Sequence, residues 1–178
     1  MVNIDIFCEG DAGLRQGFSS LFNQVKGNNV KLSFIACGGK DHAVTKFKGG
    51  RKGNTNKILL IDLDGAENTK NEKLNSMGLE PKVVFFMVQE MEAWFLSQHE
   101  VLDKHYSKEV SEHLPKKHAK DIATPSSVLK EMVAKHATGA NKEYHKVKDA
   151  AMLLQKIDIR RLRNDFTDVE NLVVALQN

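Results

Sequence analysis

Three stretches of this 178-residue chain close apolar runs with acids. Cys8-Glu9-Gly10-Asp11 follows the first run, Asp62-Leu63-Asp64-Gly65 a later one, and Gln89-Glu90-Met91-Glu92 the one after that. Short apolar runs bounded by Gly, Asn, Asp or Pro read as buried strands, and in an open parallel sheet the functional crevice lies off the carboxyl ends of the strands. Carboxylates delivered to one such edge repel each other, and a hard divalent cation with oxygen ligands is the simplest device that keeps them ionised together. Side chains at i and i+2 of an extended segment point the same way, so Asp62 and Asp64 can converge on one site. Magnesium keeps most of its waters and binds through one or two carboxylates plus a substrate phosphate, which suits this inventory; manganese is its alternative. Taken singly, each acid also reads as a turn or capping residue, since Asp-Gly is ordinary loop chemistry. Their recurrence at matched strand ends is what argues for a site, together with the absence of any lysine or arginine interleaved among them.

Four apolar runs, at 2–8, 30–37, 57–63 and 82–88, must position these acids. The connections between them are too long for hairpins and fit one helix each, the arithmetic of crossover connections in a parallel sheet. Leu14, Phe18, Leu21, Phe22 and Val25 recur at helical spacing in the first connection; 41–48 is a weaker helix, and 66–77 supplies a third. After Val88 the period becomes helical throughout. Ser97 with Glu100 and Thr167 with Glu170 have the form of capping boxes, Thr124-Pro125 reads as an N-cap and N1 pair, and 143–156 continues the helical theme. The expected architecture is α/β: a four-stranded, mainly parallel sheet flanked by helices over 1–96. A helical appendage, 97–178, packs on it as one compact unit.

Composition narrows the function classes. Hydrophobic residues at 41% and charged residues at 28% supply a real core. The longest apolar runs are far below the roughly 18 residues that cross a bilayer, so no membrane role is expected. The amino terminus lacks a basic lead and carries Asp5, which argues against a secretory leader, and Cys8 and Cys37 sit in apolar runs like small buried hydrophobes. A reducing, cytoplasmic setting is expected, with neither a disulfide framework nor a cysteine zinc ribbon. The net charge of +3 is spread over both halves, so any nucleic-acid footprint must be local. The segment 46–57 holds five basic residues and no acid, and Arg51, Lys52 and Lys57 are its candidate phosphate contacts. It enters the third strand from the amino end, away from the acidic edge. Neither a Walker loop nor a Gly-x-Gly-x-x-Gly fingerprint is present. His99, His105, His113 and His118 form no zinc-binding pair and read as exposed polar residues. Trp94 and Phe95 read as packing at the junction of sheet and appendage, and Arg160, Arg161 and Arg163 as a snorkelling helix surface.

Glu9-Gly10 closing the first strand and Asp62-x-Asp64 closing a later one resemble the Toprim signature of topoisomerases, primases and overcoming-lysogenization-defect nucleases. The strings Ala36-Cys37-Gly38-Gly39-Lys40-Asp41, Met87-Val88-Gln89-x-Met91-Glu92-Ala93-Trp94-Phe95-Leu96 and Tyr144-x-Lys146 resemble the Toprim-like bacterial family known as domain of unknown function 4276. The resemblance implies a Toprim fold with Glu9 as general acid or base, Asp62 and Asp64 as Mg²⁺ ligands and Glu92 as a further acid of the metal site. Lys40, where the family often carries Arg, and Lys146 would contact phosphate. With only Tyr106 and Tyr144 and two cysteines, the chain has neither a topoisomerase's gate domain nor a primase's zinc module. The expected function is therefore metal-dependent phosphodiester hydrolysis on nucleic acid, DNA ahead of RNA, and the resemblance implies work with an ATPase partner in defence against phage. The alternative is a non-catalytic nucleotide- or nucleic-acid-binding regulatory subunit.

Overall fold

The structure, a computed structural model, describes residues 1–50 and 56–177. Among the strands β1 (Val2–Cys8), β2 (Val30–Ala36), β3 (Asn56–Asp62) and β4 (Val84–Met87), β3 buries every residue from Ile58 to Asp62 and β4 buries all four of its own. Continuous rather than alternating burial is what a parallel sheet with both faces covered requires. The order is β2-β1-β3-β4 and every pairing is parallel, a tighter result than the mainly parallel sheet expected.

This order decides where the crevice opens. From β1 the chain passes through α1 (Arg15–Asn23) outward to β2. It then returns across β1 through α2 (Lys40–Gly49) to β3, and continues through α3 (Lys70–Met77) to β4. With the right-handed crossovers that parallel strands adopt, α1 covers one face while α2 and α3 cover the other. The loops leaving β1 and β3 therefore diverge, and a crevice forms beyond the carboxyl ends of these two neighbours, after Cys8 and at Asp62.

The second half comprises α4 (Glu92–Leu96), α5 (His99–His105), α6 (Lys108–Glu112), α7 (Pro125–His136), α8 (Lys148–Leu154), α9 (Ile159–Asp165) and α10 (Thr167–Gln177). It packs on the sheet domain through α8 against α1 and α10 against β4, and a single hydrophobic core runs through both halves. Trp94 is buried edge-on to Phe22 at 6.5 Å between ring centroids, the packing role expected of it. No helix among the described residues is long and apolar enough to cross a membrane. Both cysteines are free and buried, and burial pushes the Cys8 thiol far above its ordinary range.

Several local expectations yield to other partners, some near in sequence and some distant. Ser97 closes no capping box: its hydroxyl donates to the Trp94 carbonyl, and the next helix starts at His99. Glu170 is held by Arg163 rather than turned back to its own helix end, and Arg161 pairs with Glu100, so these arginines are engaged rather than merely snorkelling. The predicted helix over 143–156 is helical only from Lys148, because Asp149 accepts the His145 N–H at 2.7 Å and Tyr144 turns inward. His105 is not exposed either, but buried against Asp149 at 3.3 Å.

The outer edge of β4 is closed by one side chain. Asp168, in the first turn of α10, accepts the buried Phe86 N–H at 2.7 Å and pairs with Lys70 of α3. An unpaired edge donor buried under a helix costs about 1–3 kcal/mol. Asp168→Ala is expected to lower unfolding stability by about that amount, while Asp168→Asn, which keeps an acceptor, loses less. Denaturant unfolding of the two variants checks this, and equal losses would show that the N–H contact contributes nothing.

Candidate functional site

The candidate site is a chain of carboxylates hydrogen-bonded to backbone across three strands. Where β1 ends, the Glu9 N–H still donates to the Leu60 carbonyl of β3 at 3.0 Å, so the ladder carries Glu9 into position. Its carboxylate Oε2 accepts the Asp62 N–H at 3.0 Å. Asp62 in turn accepts the Met91 N–H through Oδ1 at 2.8 Å, tying the end of β3 to the entry of α4. Directly after Glu9, Gly10 exchanges two hydrogen bonds with Gly38, at 2.7 and 2.9 Å, which joins the loops after β1 and β2. Gly10 has φ 115°, and a Cβ there would lie 2.6 Å from Leu14 Cδ1, so no other residue fits this turn without displacing Leu14.

Asp64 and Gln89, in the loops after β3 and β4, both have left-handed backbones, φ 53° and 59°. They lock each other: the Asp64 N–H donates to the Gln89 carbonyl at 2.8 Å and the Gln89 N–H to the Gly65 carbonyl at 3.1 Å. Aspartate tolerates this region, whereas glutamine rarely adopts it, and such strain gathers at functional sites. The turn directs the Asp64 carboxylate to Lys40, at the amino end of α2. Lys40 follows β2 and Asp64 follows β3, so their ion pair spans the carboxyl end of the central strand β1.

Glu92 lies behind these groups with 0% exposure. Its Oε1 accepts the Tyr144 hydroxyl at 2.8 Å and has the Lys146 ammonium 3.7 Å away, while its Oε2 has no hydrogen-bond partner. The expectation that no basic side chain neutralises the acids is thus corrected. Lys40 and Lys146 arrive from distant sequence, and Lys146 comes from an irregular segment that periodicity reads as exposed helix.

Glu9, Asp62 and Lys146 line one cleft of about 160 Å³ with Gly10, Gly38 and Met91. Burial raises the Glu9 carboxyl above its ordinary range, and the nearby Asp64 charge adds to that, against the Asp62 N–H and the two lysines. Asp62 is raised further, by burial first and then by repulsion from Glu9 and Glu92, with Lys146 and the Met91 N–H opposing. Burial disfavours the Lys146 ammonium, but Glu92, Asp62, Glu90 and Glu9 together outweigh it and lift Lys146 above its usual value.

The donor set can be tested against a divalent ion. Glu9 and Asp62 each commit one oxygen to a backbone N–H, face the same cleft and resist sharing it as two free charges. That fits a magnesium ion, which takes one or two carboxylates and keeps its waters. Asp64 is drawn to Lys40, and Glu92 is buried behind the pair, so neither completes a shell. Among the described residues, no group of three or more His, Cys, Asp or Glu side chains is arranged to hold a metal ion.

Of the expected phosphate contacts, Lys40 and Lys146 flank the acids. Lys57 does not: it donates to the Phe47 and Gly50 carbonyls at 3.1 and 2.9 Å, at the amino end of β3, five residues or roughly 16 Å from Asp62. Arg51 and Lys52 lie outside the described residues. One contact that sequence reasoning missed is Glu90, whose Oε2 accepts the Ser126 N–H at 2.9 Å and caps α7 in place of Thr124. Only the acidity of the 89–92 string signals it.

Fold and cleft together define an α/β protein whose parallel sheet presents paired carboxylates and two lysines at its carboxyl edge. The chain belongs to the family described as Domain of unknown function (DUF4276), whose model matches residues 15–177. That span holds Lys40, Asp62, Asp64, Glu92 and Lys146, with Glu9 just ahead of it. No curated protein and no solved structure matches the chain.

The crowding of Asp62 has a measurable sign. Its carboxyl is raised in the folded chain, so the stability linked to its proton is fully present below the unfolded value, about 3.9, and is lost as pH rises through the folded value. Asp62→Asn keeps an acceptor for the Met91 N–H and removes that loss. The variant is expected to be more stable than the parent at about pH 8, with the difference vanishing near about pH 4. Equilibrium unfolding at both values checks this; a variant no more stable at the higher pH would mean the carboxylates do not burden one another.

Proposed function

We propose that the chain is a metal-dependent phosphodiesterase acting on nucleic acid, with Glu9 and Asp62 as the carboxylates that hold Mg²⁺ or Mn²⁺. The observation that carries this reading is the pair of raised, mutually repelling carboxylates facing one cleft with a lysine. The bound cation would supply charge neutralisation at the phosphate and a more acidic water. Glu9, less buried than Asp62, accepts the proton of the attacking water on the carboxylate oxygen not bonded to the Asp62 N–H, the water's oxygen bonds to phosphorus, and the P–O bond to the leaving sugar oxygen breaks. The leaving oxygen takes a proton from solvent. Asp62 keeps its place through the Met91 N–H, and Lys146 and Lys40 balance the phosphate's charge from either side. The resemblance to Toprim nucleases supports this assignment, and a partner ATPase in phage defence belongs to the same proposal.

A second reading, a non-catalytic phosphate-binding regulatory subunit, is favoured by one observation. Lys40 on Asp64 and Lys146 beside Glu92 already balance two of the acids without a metal. An assay on single- and double-stranded DNA and RNA with Mg²⁺, Mn²⁺ or EDTA separates the two. Cleavage that requires metal and falls about 10²-fold or more in Glu9→Gln and Asp62→Asn is the expected result, with a smaller loss in Asp64→Asn. Binding without cleavage would establish the regulatory reading, and cleavage insensitive to EDTA or undiminished in Asp62→Asn would refute the metal assignment.

A further inference from the structure

The cleft that holds Glu9 and Asp62 is too small for more than the reacting group, so a polymeric substrate must lie on a neighbouring surface. Lys146 borders such a surface. On its other side is a groove of about 830 Å³ between the first turn of α7 and the irregular segment leading into α8. Ser126, Ser127, Lys130, His145, Lys146 and Lys148 supply its polar lining, and no Asp or Glu is among the described residues that line it. Lys130, His145, Lys146 and Lys148 are all exposed there, and Val147, 41% exposed, adds an apolar surface between two of the lysines. The α7 helix terminus itself is not what attracts an anion, because Glu90 already accepts the Ser126 N–H; the cations are.

We propose that this groove carries the sugar-phosphate backbone of a single-stranded nucleic acid up to the carboxylate cleft, with Lys130 and Lys148 contacting phosphates flanking the reacting one and Val147 meeting a sugar or base. The substrate class follows from three features together: three exposed lysines in a lining without Asp or Glu, an exposed apolar side chain within it, and continuity with the acidic cleft through a single shared lysine. Among the described residues of that lining, only His145, 3.9 Å from Glu143, and Lys146, 3.7 Å from Glu92, pair with an acid. The groove moves the nucleic-acid footprint from Lys57, held at the opposite end of the sheet, to 142–148, where three lysines and a histidine stand with one acid. The assignment rests on the phosphodiesterase reading for its purpose, but not for its test.

The experiment measures binding of 20-nucleotide single-stranded DNA and RNA by fluorescence anisotropy in EDTA across a salt series, which needs no cleavage. Each lysine that neutralises a phosphate of a single strand adds about 0.7 to the steepness of log affinity against log salt. Lys130→Ala with Lys148→Ala should therefore make the slope shallower by about 1.4 and weaken binding several-fold at low salt. The control is Lys116→Ala with Lys117→Ala, exposed lysines outside the groove that remove the same net charge; it should leave the slope near the parent value. Equal losses in both double variants, tighter binding of duplex than of single strand, or no binding by the parent chain would each overturn the groove assignment. Hydrolysis of a small chromogenic phosphodiester, bis(4-nitrophenyl) phosphate, is measured in parallel with Mg²⁺. Its absence alongside an altered slope would retire the phosphodiesterase reading and leave the groove intact.

Discussion

Burying carboxylates at the edge of a sheet is the constraint around which this molecule is arranged. An ionised carboxylate taken out of water costs several kcal/mol unless donors and counter-charges replace the lost hydration. Asp62 at 7% exposure and Glu92 at 0% therefore require compensation, and it comes from two directions. The sheet provides backbone donors, Asp62 N–H to Glu9 and Met91 N–H to Asp62, which extend the ladder past the strand ends. The helical half provides the Tyr144 hydroxyl and the Lys146 ammonium to Glu92. Neither half completes the site alone, which is why one core runs through both.

Strand order and chemistry meet at one point. In the order β2-β1-β3-β4 the connections leaving β1 and β3 go to opposite faces, and these are the strands whose ends carry Glu9 and Asp62. A crevice at that switch point follows from handedness alone, whatever residues occupy it. The sequence then fills it with the least comfortable residues available. Gly10 at φ 115° and the reciprocal Asp64 and Gln89 turns hold the surrounding loops in conformations that ordinary packing would not select. Such local cost, borne beside raised carboxyl groups, is what makes this edge the candidate site.

The sheet was legible because its signal is local: β3 and β4 are near-continuous apolar runs, β1 and β2 are rich in Val, Ile, Leu and Phe, and acids follow β1, β3 and β4. The acids at strand ends were legible for the same reason. What could not be read were the partners drawn from elsewhere in the chain. Ser97, Glu170 and Thr124 have the right spacing for caps, yet Ser97 turns back to the Trp94 carbonyl, Arg163 holds Glu170, and Glu90, 36 residues from Ser126, caps α7 in place of Thr124. The 142–147 stretch keeps a helical composition but gives its backbone and side chains to Asp149 and Glu92 instead. Periodicity weighs each residue only by its polarity against neighbours three and four positions away, so it registers neither the specific short-range bond that Asp149 makes to the His145 N–H nor the bond between Tyr144 and Glu92, 52 residues apart.

Lys146 shows how much depends on one such contact. Its ammonium sits against Glu92, and the summed field of Glu92, Asp62, Glu90 and Glu9 holds it charged despite partial burial. Among the described residues it alone lines both the acidic cleft and the basic groove. Acidic and basic linings therefore meet at a single side chain. On the proposed reading, a polyanion resting in the groove meets repulsion as soon as it advances past Lys146, and only a phosphate accompanied by a divalent cation can pass further in, because only then do Glu9 and Asp62 attract it. A site of the proposed kind would separate holding the strand, which needs cations alone, from reacting with it, which needs the metal. On the same reading, that separation gives a use to opposite charges placed so close together, with Lys146 balancing Glu92 while Glu9 and Asp62 are left to face the cleft.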